Sequence, residues 1–357
     1  MASSLIMLAP VFCVAQTAQR NSNATVSDAL SVIIEQVHSK PTDAAKIKEA
    51  RAVAFNLLAA SRYEESWSIF RAILDEAPHD ERALYGGAVA LFNLKRIDDA
   101  QRLAEGALEE TGVNLKTVAG PSPQSSAEER ARAADALVLL GVIMAVKKDN
   151  AGALKAVERA VMLAPDNFDA QFALGRARYG ARDPAGAAKA FRAAIALRPD
   201  DTRARFFLAT SLEAADDNEG ALSAYRELLL VQPASAEGHL GLGVLLVKLG
   251  GERIVEGVNE LERAIALNGD LYEARVTLGR TLIRVGRAAE AIEHLRRAAL
   301  LAPQNPEPHY QLALAYRRLG RTAEAARETA IVQSIHSGRR GAGGVNAANG
   351  SGPEKQD

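Results

Sequence analysis

Residues 272–305 read YEARVTLGRTLIRVGRAAEAIEHLRRAALLAPQN, and this stretch decides the fold. Val276, Leu278, Gly279, Leu282 and Ile283 fall at helical spacing within a first helix. Gly286 breaks that helix. A second stripe, Ala288, Ala291, Ile292, Leu295, Ala298 and Ala299, then runs on to Pro303. Proline lacks a backbone donor and drives the residue before it toward extended backbone, so the second helix stops there. Two helices joined by so short a turn make an antiparallel hairpin.

The pattern recurs along the chain. Leu140-Gly141, Leu174-Gly175, Leu208-Ala209, Leu242-Gly243, Leu278-Gly279 and Leu312-Ala313 follow one another at 34 residues, except for one step of 36 before Gly279. Pro165, Pro199 and Pro233 keep the 34-residue step, and Pro303 follows after a unit with Gly269 in the proline's place. Ala153, Ala187, Ala221, Gly257, Ala291 and Ala325 form a third series. Three registers with one period identify an array of helical hairpins, which grows by stacking and needs no division of its 357 residues into separate cores. Asp183 before Pro184 fits an N-cap with a first-turn proline, and Asp149 and Asp217 stand at the same place. No run of β-branched alternation suggests a strand.

Upstream, Val53-Ala54 and Gly87-Ala88 continue the register, with Pro78 closing the first unit. An insertion follows near 112–130, where GPSPQSS reads as a loop. Helix resumes at Ser126, which forms a capping-box pattern with Glu129. Residues 27–38 read as a lone amphipathic helix, expected to cover the open end of the stack within a 16–46 linker and cap. The Gly- and Asn-rich tail 337–357 has little apolar surface to bury and is expected to be disordered. That leaves the helix from Thr322 to close the far end.

Charge narrows the partners. The chain has 43 Lys+Arg against 44 Asp+Glu, so it lacks the basic excess that phosphate neutralisation demands, and nucleic acid is not expected. Its one cysteine, Cys13, excludes an internal disulfide and a thiolate metal site. No stretch is long and apolar enough for a transmembrane helix. Leu5–Ala15 (LIMLAPVFCVA) is an uncharged apolar run with small residues before Gln16, which reads as an export signal at 1–15. No Lys or Arg precedes it and Pro10 interrupts it, so a cytoplasmic location stands as the alternative.

A 34-residue unit with Leu-Gly or Leu-Ala at its seventh and eighth places, a small twentieth residue and Pro at the thirty-second resembles the tetratricopeptide repeat. The likeness covers about 47–336, as units 47–80, 81–114, 134–167, 168–201, 202–235, 236–271, 272–305 and 306–336. It implies an all-α, right-handed α-solenoid of stacked helix-turn-helix hairpins. The tryptophan often found at the fourth place is missing; Leu84, Leu137, Gln171, Arg205, His239, Arg275 and His309 stand there.

The resemblance also implies that the first helices line a groove through their second, fifth, ninth, twelfth and thirteenth residues. Phe206, Leu240, Val244 and Val247 would then form an apolar middle. Arg280, Arg284, Tyr310, Arg317 and Arg318 would form a basic end, with Arg176 and Tyr179 further back. Such a groove suits an extended or helical protein segment bearing acidic groups or a free C-terminus. Glu237, Glu273 and Glu307 lie on the same faces and would offset part of that charge. Chaperone adaptors of the family use Lys and Asn at the first unit's groove positions; Arg51 and Phe55 occupy them here, which disfavours that partner.

No HExxH, phosphate-binding glycine loop or nucleophile elbow occurs, and no catalytic, cofactor or metal site is expected. Glu290 and His294, at i and i+4, read as a solvated surface pair. The expectation is an interaction scaffold in a bacterial cell envelope. A cytoplasmic regulatory or targeting adaptor, or a non-catalytic subunit of an enzyme, is the alternative.

Overall fold

The structure, a computed structural model, describes residues 22–39, 43–113 and 126–348, with side chains from 30 to 337 within those spans. The apolar run 5–15, most of the 112–130 insertion and the end of the tail lie outside the described residues. Among the described residues every element is a helix and there is no strand, the all-α class expected.

The chain divides into two compact units, one ending at Pro199 and one beginning at Asp200. The first holds α1 (Ser22–Ser39), α2 (Ala44–Ala59), α3 (Tyr63–Glu76), α4 (Glu81–Asn93), α5 (Ile97–Glu110), α6 (Ala127–Val146), α7 (Asn150–Leu163), α8 (Phe168–Gly180) and α9 (Pro184–Leu197). The second holds α10 (Thr202–Ala214), α11 (Asn218–Val231), α12 (Ala236–Leu249), α13 (Arg253–Leu267), α14 (Tyr272–Arg284), α15 (Ala288–Leu301), α16 (Pro306–Arg318) and α17 (Thr322–Ala348). In the first unit α1 packs on α2 and α3, burying Val37. The helix α17 continues to Ala348, past Ser337 where composition alone ends the order.

Within each unit, every first helix packs against its own second helix and against the first helix of the next hairpin. The backbones of consecutive second helices stand further apart, and α11 and α13 meet through long side chains, Arg226 with Glu256 and Arg253 with Glu219. The first helices therefore form an unbroken row on the inside of each stack.

The small residues explain how hairpins close. A Cβ added to Gly279 would lie 2.5 Å from Leu295 Cγ, and one on Gly243 would lie 3.0 Å from the Gly257 carbonyl. At these two positions only hydrogen fits between helices packed this closely. Ala54, Ala88, Ala209 and Ala313 fill the same place in other units and are buried.

Each hairpin turn has one residue in the left-handed region, always at the fifteenth place. Gly250, Gly286 and Gly320 stand there in three units, but Ser61, Lys95, Lys148, Arg182 and Asp216 adopt it elsewhere, with φ between 60° and 67°. These residues close Schellman turns: Lys95 N donates to Phe92 O at 3.0 Å and Arg96 N to Leu91 O at 2.9 Å. The 36-residue unit departs from this, using two successive positive-φ glycines, Gly250 and Gly251.

Capping follows the sequence closely. Asp149, Asp183 and Asp217 accept from the backbone of Gly152, Gly186 and Gly220 at 2.9, 2.9 and 3.0 Å. Ser126 and Glu129 cap each other reciprocally at 3.1 and 2.7 Å. The fourth place, lacking tryptophan, does something different. Gln171 Nε2 donates to Pro165 O at 2.9 Å, His239 Nε2 lies 2.9 Å from Pro233 O, and Arg275 Nε donates to Gly269 O at 2.6 Å. A polar side chain there satisfies a carbonyl in the turn from the preceding hairpin.

Candidate functional site

The row of first helices in the second unit carries nine of the eleven groove residues: Phe206 on α10, Leu240, Val244 and Val247 on α12, Arg280 and Arg284 on α14, and Tyr310, Arg317 and Arg318 on α16. Phe206 is half-buried, its ring 6.4 Å from Tyr225 and steeply inclined to it. Leu240 and Val244 are also half-buried, on the core that α12 to α16 share. Tyr310 is 56% exposed. Val247 is different: its side chain is buried at 6% exposure, next to Gly257, so it packs the hairpin and offers a partner no surface.

The four arginines fall into two kinds. Arg284 Nη2 donates to the Val247 carbonyl at 3.2 Å, and Arg318 Nη1 donates to the Ile283 carbonyl at 3.0 Å. Both occupy the thirteenth place, and each braces the last turn of the preceding first helix, where carbonyls lack helical partners. Arg317 donates to the Thr329 hydroxyl at 3.2 Å. Arg280 is exposed on α14.

None of the four forms an ion pair with a carboxylate among the described residues. In the same unit Arg226 pairs with Glu256, Arg253 with Glu219, Arg297 with Asp270 and Arg321 with Glu324, all at 2.7–2.8 Å. The acids expected to offset the arginines do not reach them. Glu307 accepts from Gln311 at 2.9 Å, while Glu237 and Glu273 are exposed.

Arg176 and Tyr179 lie on α8 in the first unit, apart from the other nine in the chain's division. Arg176 is half-buried, and loss of hydration lowers its pKa from the ordinary arginine value. Tyr179 is 46% exposed. Arg51 forms an ion pair with Asp80, and the Phe55 ring meets Phe70 edge-on at 5.1 Å.

Sequence reasoning missed a cluster formed by Tyr85 and two acids, Asp135 and Asp169, on first helices of this unit. Asp135 on α6 accepts from Asn167 at 2.9 Å, and burial pushes its carboxyl above the usual range, with the Asp169 charge adding to the rise. Tyr85 on α4 has its hydroxyl pushed up by burial and then by Asp135 and Asp169. Asp169 lies 3.5 Å from Arg198, whose guanidinium sits 4.1 Å over the Phe168 ring. The signal was present in the second-place aspartates of units 134–167 and 168–201, which carry the same register as the groove residues.

Glu290 and His294 do not form the surface pair expected. Glu290 binds Arg287 at 2.6 Å. His294 is half-buried, its Nδ1 is sequestered without a hydrogen-bond partner, and burial followed by Arg275 lowers its pKa.

Models of the tetratricopeptide repeat match residues 57–117, 172–229 and 208–267, and a TPR repeat model matches 279–320. No protein of curated function matches the sequence. Among solved structures, the C-terminal part of a TPR repeat-containing protein from Cytophaga hutchinsonii is similar at 16% identity. It covers 73% of this chain and 99% of that one, with a TM-score of 0.53. The structure of pilF from Pseudomonas aeruginosa is 18% identical over 58% of this chain and 94% of its own, with a TM-score of 0.50. At these identities the likeness is one of fold.

Proposed function

Because the chain belongs to the tetratricopeptide repeat family, whose members serve as protein-interaction scaffolds, we propose that its second unit holds a partner segment carrying carboxylates. Four arginines without carboxylate partners among the described residues carry this proposal. Arg284 and Arg318 are held in place by backbone carbonyls, so they lose little side-chain freedom when an acid docks. Arg280 and Arg317 supply exposed forked donors beside them. Phe206, Leu240 and Val244 offer apolar contact next to this basic end, which fits a segment with apolar residues followed by acidic ones or a free C-terminus.

Exposed arginine–carboxylate pairs each contribute about 0–1 kcal/mol, so affinity here depends on several acting together and falls with salt. Chemical crosslinking and capture from source cells tests this, comparing the natural chain with Arg280→Glu combined with Arg317→Glu. Those two side chains hold no backbone carbonyl, so the fold survives the change. Partners held by the natural chain should be lost by the variant; equal capture overturns the proposal.

The proposal extends to a bacterial cell envelope, supported by the apolar run 5–15. N-terminal sequencing of the protein from its source should begin near Gln16. An intact Met1 or Ala2 contradicts export.

A further inference from the structure

In the first unit the row of first helices carries a different chemistry. Asp135 on α6 and Asp169 on α8 hold the same place in consecutive hairpins, on first helices packed against each other. Asp135 is half-buried and accepts from the Asn167 amide at 2.9 Å, and no basic side chain among the described residues forms an ion pair with it. Arg198 reaches Asp169 at 3.5 Å, in a long and partly exposed pair. A half-buried carboxylate held by one neutral donor is an unfavourable arrangement. Arg82 and Arg203 stand at the same place in neighbouring hairpins, so the repeat does not demand an acid there.

A second observation points to a ligand. Tyr85 on α4 keeps part of its surface open, yet its hydroxyl lies deep in the unit, where the charges of Asp135 and Asp169 both act on it. That hydroxyl has no hydrogen-bond partner among the described residues. Burial and then the two acids raise its pKa, so the phenol stays protonated. Acceptors gathered without a cation call for a cation that brings its own donors. Two acids are too few for a metal shell, and among the described residues no third His, Cys, Asp or Glu joins them. Val89 on α4, Val138 and Val142 on α6 and Phe172 on α8 are half-buried on the same row. Such walls suit the methylene stem of a long basic side chain, and an aromatic face attracts its charge.

We propose that the first unit takes a lysine or arginine side chain of a partner protein segment at Asp135, Asp169 and Tyr85, with apolar residues of that segment on the valines. This site is independent of the carboxylate reading of the second unit.

Phage display on the immobilised full chain, followed by synthesis of the selected peptides with acetylated N-termini, tests this. The peptides should include a class with Lys or Arg beside apolar residues. Asp135→Asn combined with Asp169→Asn should raise the dissociation constant of that class at least about tenfold. Norleucine for the lysine, or citrulline for the arginine, should weaken binding to the natural chain as much but change little in the variant, because the two losses describe one contact. The melting temperature of the variant should not fall, since both changes keep an acceptor and remove a carboxylate charge. Arg280→Gln with Arg317→Gln should leave these peptides bound, which separates this site from the second unit's. A selection that yields no Lys- or Arg-bearing class overturns the proposal, as do basic peptides held equally by the variant. Binding that requires a free N-terminus and not the basic side chain overturns it as well.

Discussion

Asp135 pays an energetic penalty for its position: burial raises its carboxyl pKa, so ionising it is harder in the folded chain than in the unfolded one. The folded state then binds more protons as pH falls, and the penalty is present above the folded value and absent below the unfolded 3.8. Asp135→Asn, which keeps an acceptor for Asn167, should therefore stabilise the protein at neutral pH. The gain should shrink as pH falls and vanish below the unfolded value of 3.8 in denaturant melts. His294 has the opposite sign. Its lowered pKa means the unfolded chain takes up a proton first as pH falls through 6.5, so His294 contributes a loss of stability on mild acidification. His294→Gln should flatten that part of the profile, and an unchanged slope between pH 7 and 5 would count against a buried neutral imidazole. Leu278, fully buried where α14 meets its neighbours, should cost ~2–5 kcal/mol on replacement by Ala. The burial of Leu278 was legible in its period. That of Val247 was not, because a groove register places a residue on a helix face without saying how closely the next helix approaches.

At the scale of elements, the hairpin turns repeat a backbone conformation rather than a residue type. Gly286 announced its turn in the sequence; Asp216, Arg182 and Lys95 did not, yet they take the same left-handed φ. The two helices of each hairpin must close antiparallel at one distance, and the Schellman turn is the short connection that does this. Packing therefore imposes the conformation on whatever residue stands there. Asp216→Gly should remove that strain and stabilise the chain by about 1 kcal/mol, read as a shift in denaturation midpoint. Gly286→Asp should cost a similar amount. The polar fourth-place residues show the same principle. The absent tryptophan was visible in the sequence, but the compensation by Gln171, His239 and Arg275 depends on carbonyls that only the turn geometry exposes.

At the scale of the molecule, each unit is a nearest-neighbour stack, so disturbance should stay local. Hydrogen exchange on Leu278→Ala should rise in α14 and the helices it contacts, α12, α13, α15 and α16, while α4 and α5 keep their protection. Global loss of protection would mean that the stack unfolds as one body. The sequence by itself determined the hairpin, its period and its small-residue contacts, because a 34-residue repeat states the same packing problem many times and its answers are averaged over the units. Tertiary structure alone decided which arginines hold backbone carbonyls, that the four at the basic end meet no carboxylate among the described residues, and that an apolar hollow opens beside Leu230. Those features depend on contacts between neighbouring hairpins, and the distance a side chain spans there is set by how the helices pack, not by its own place in the repeat.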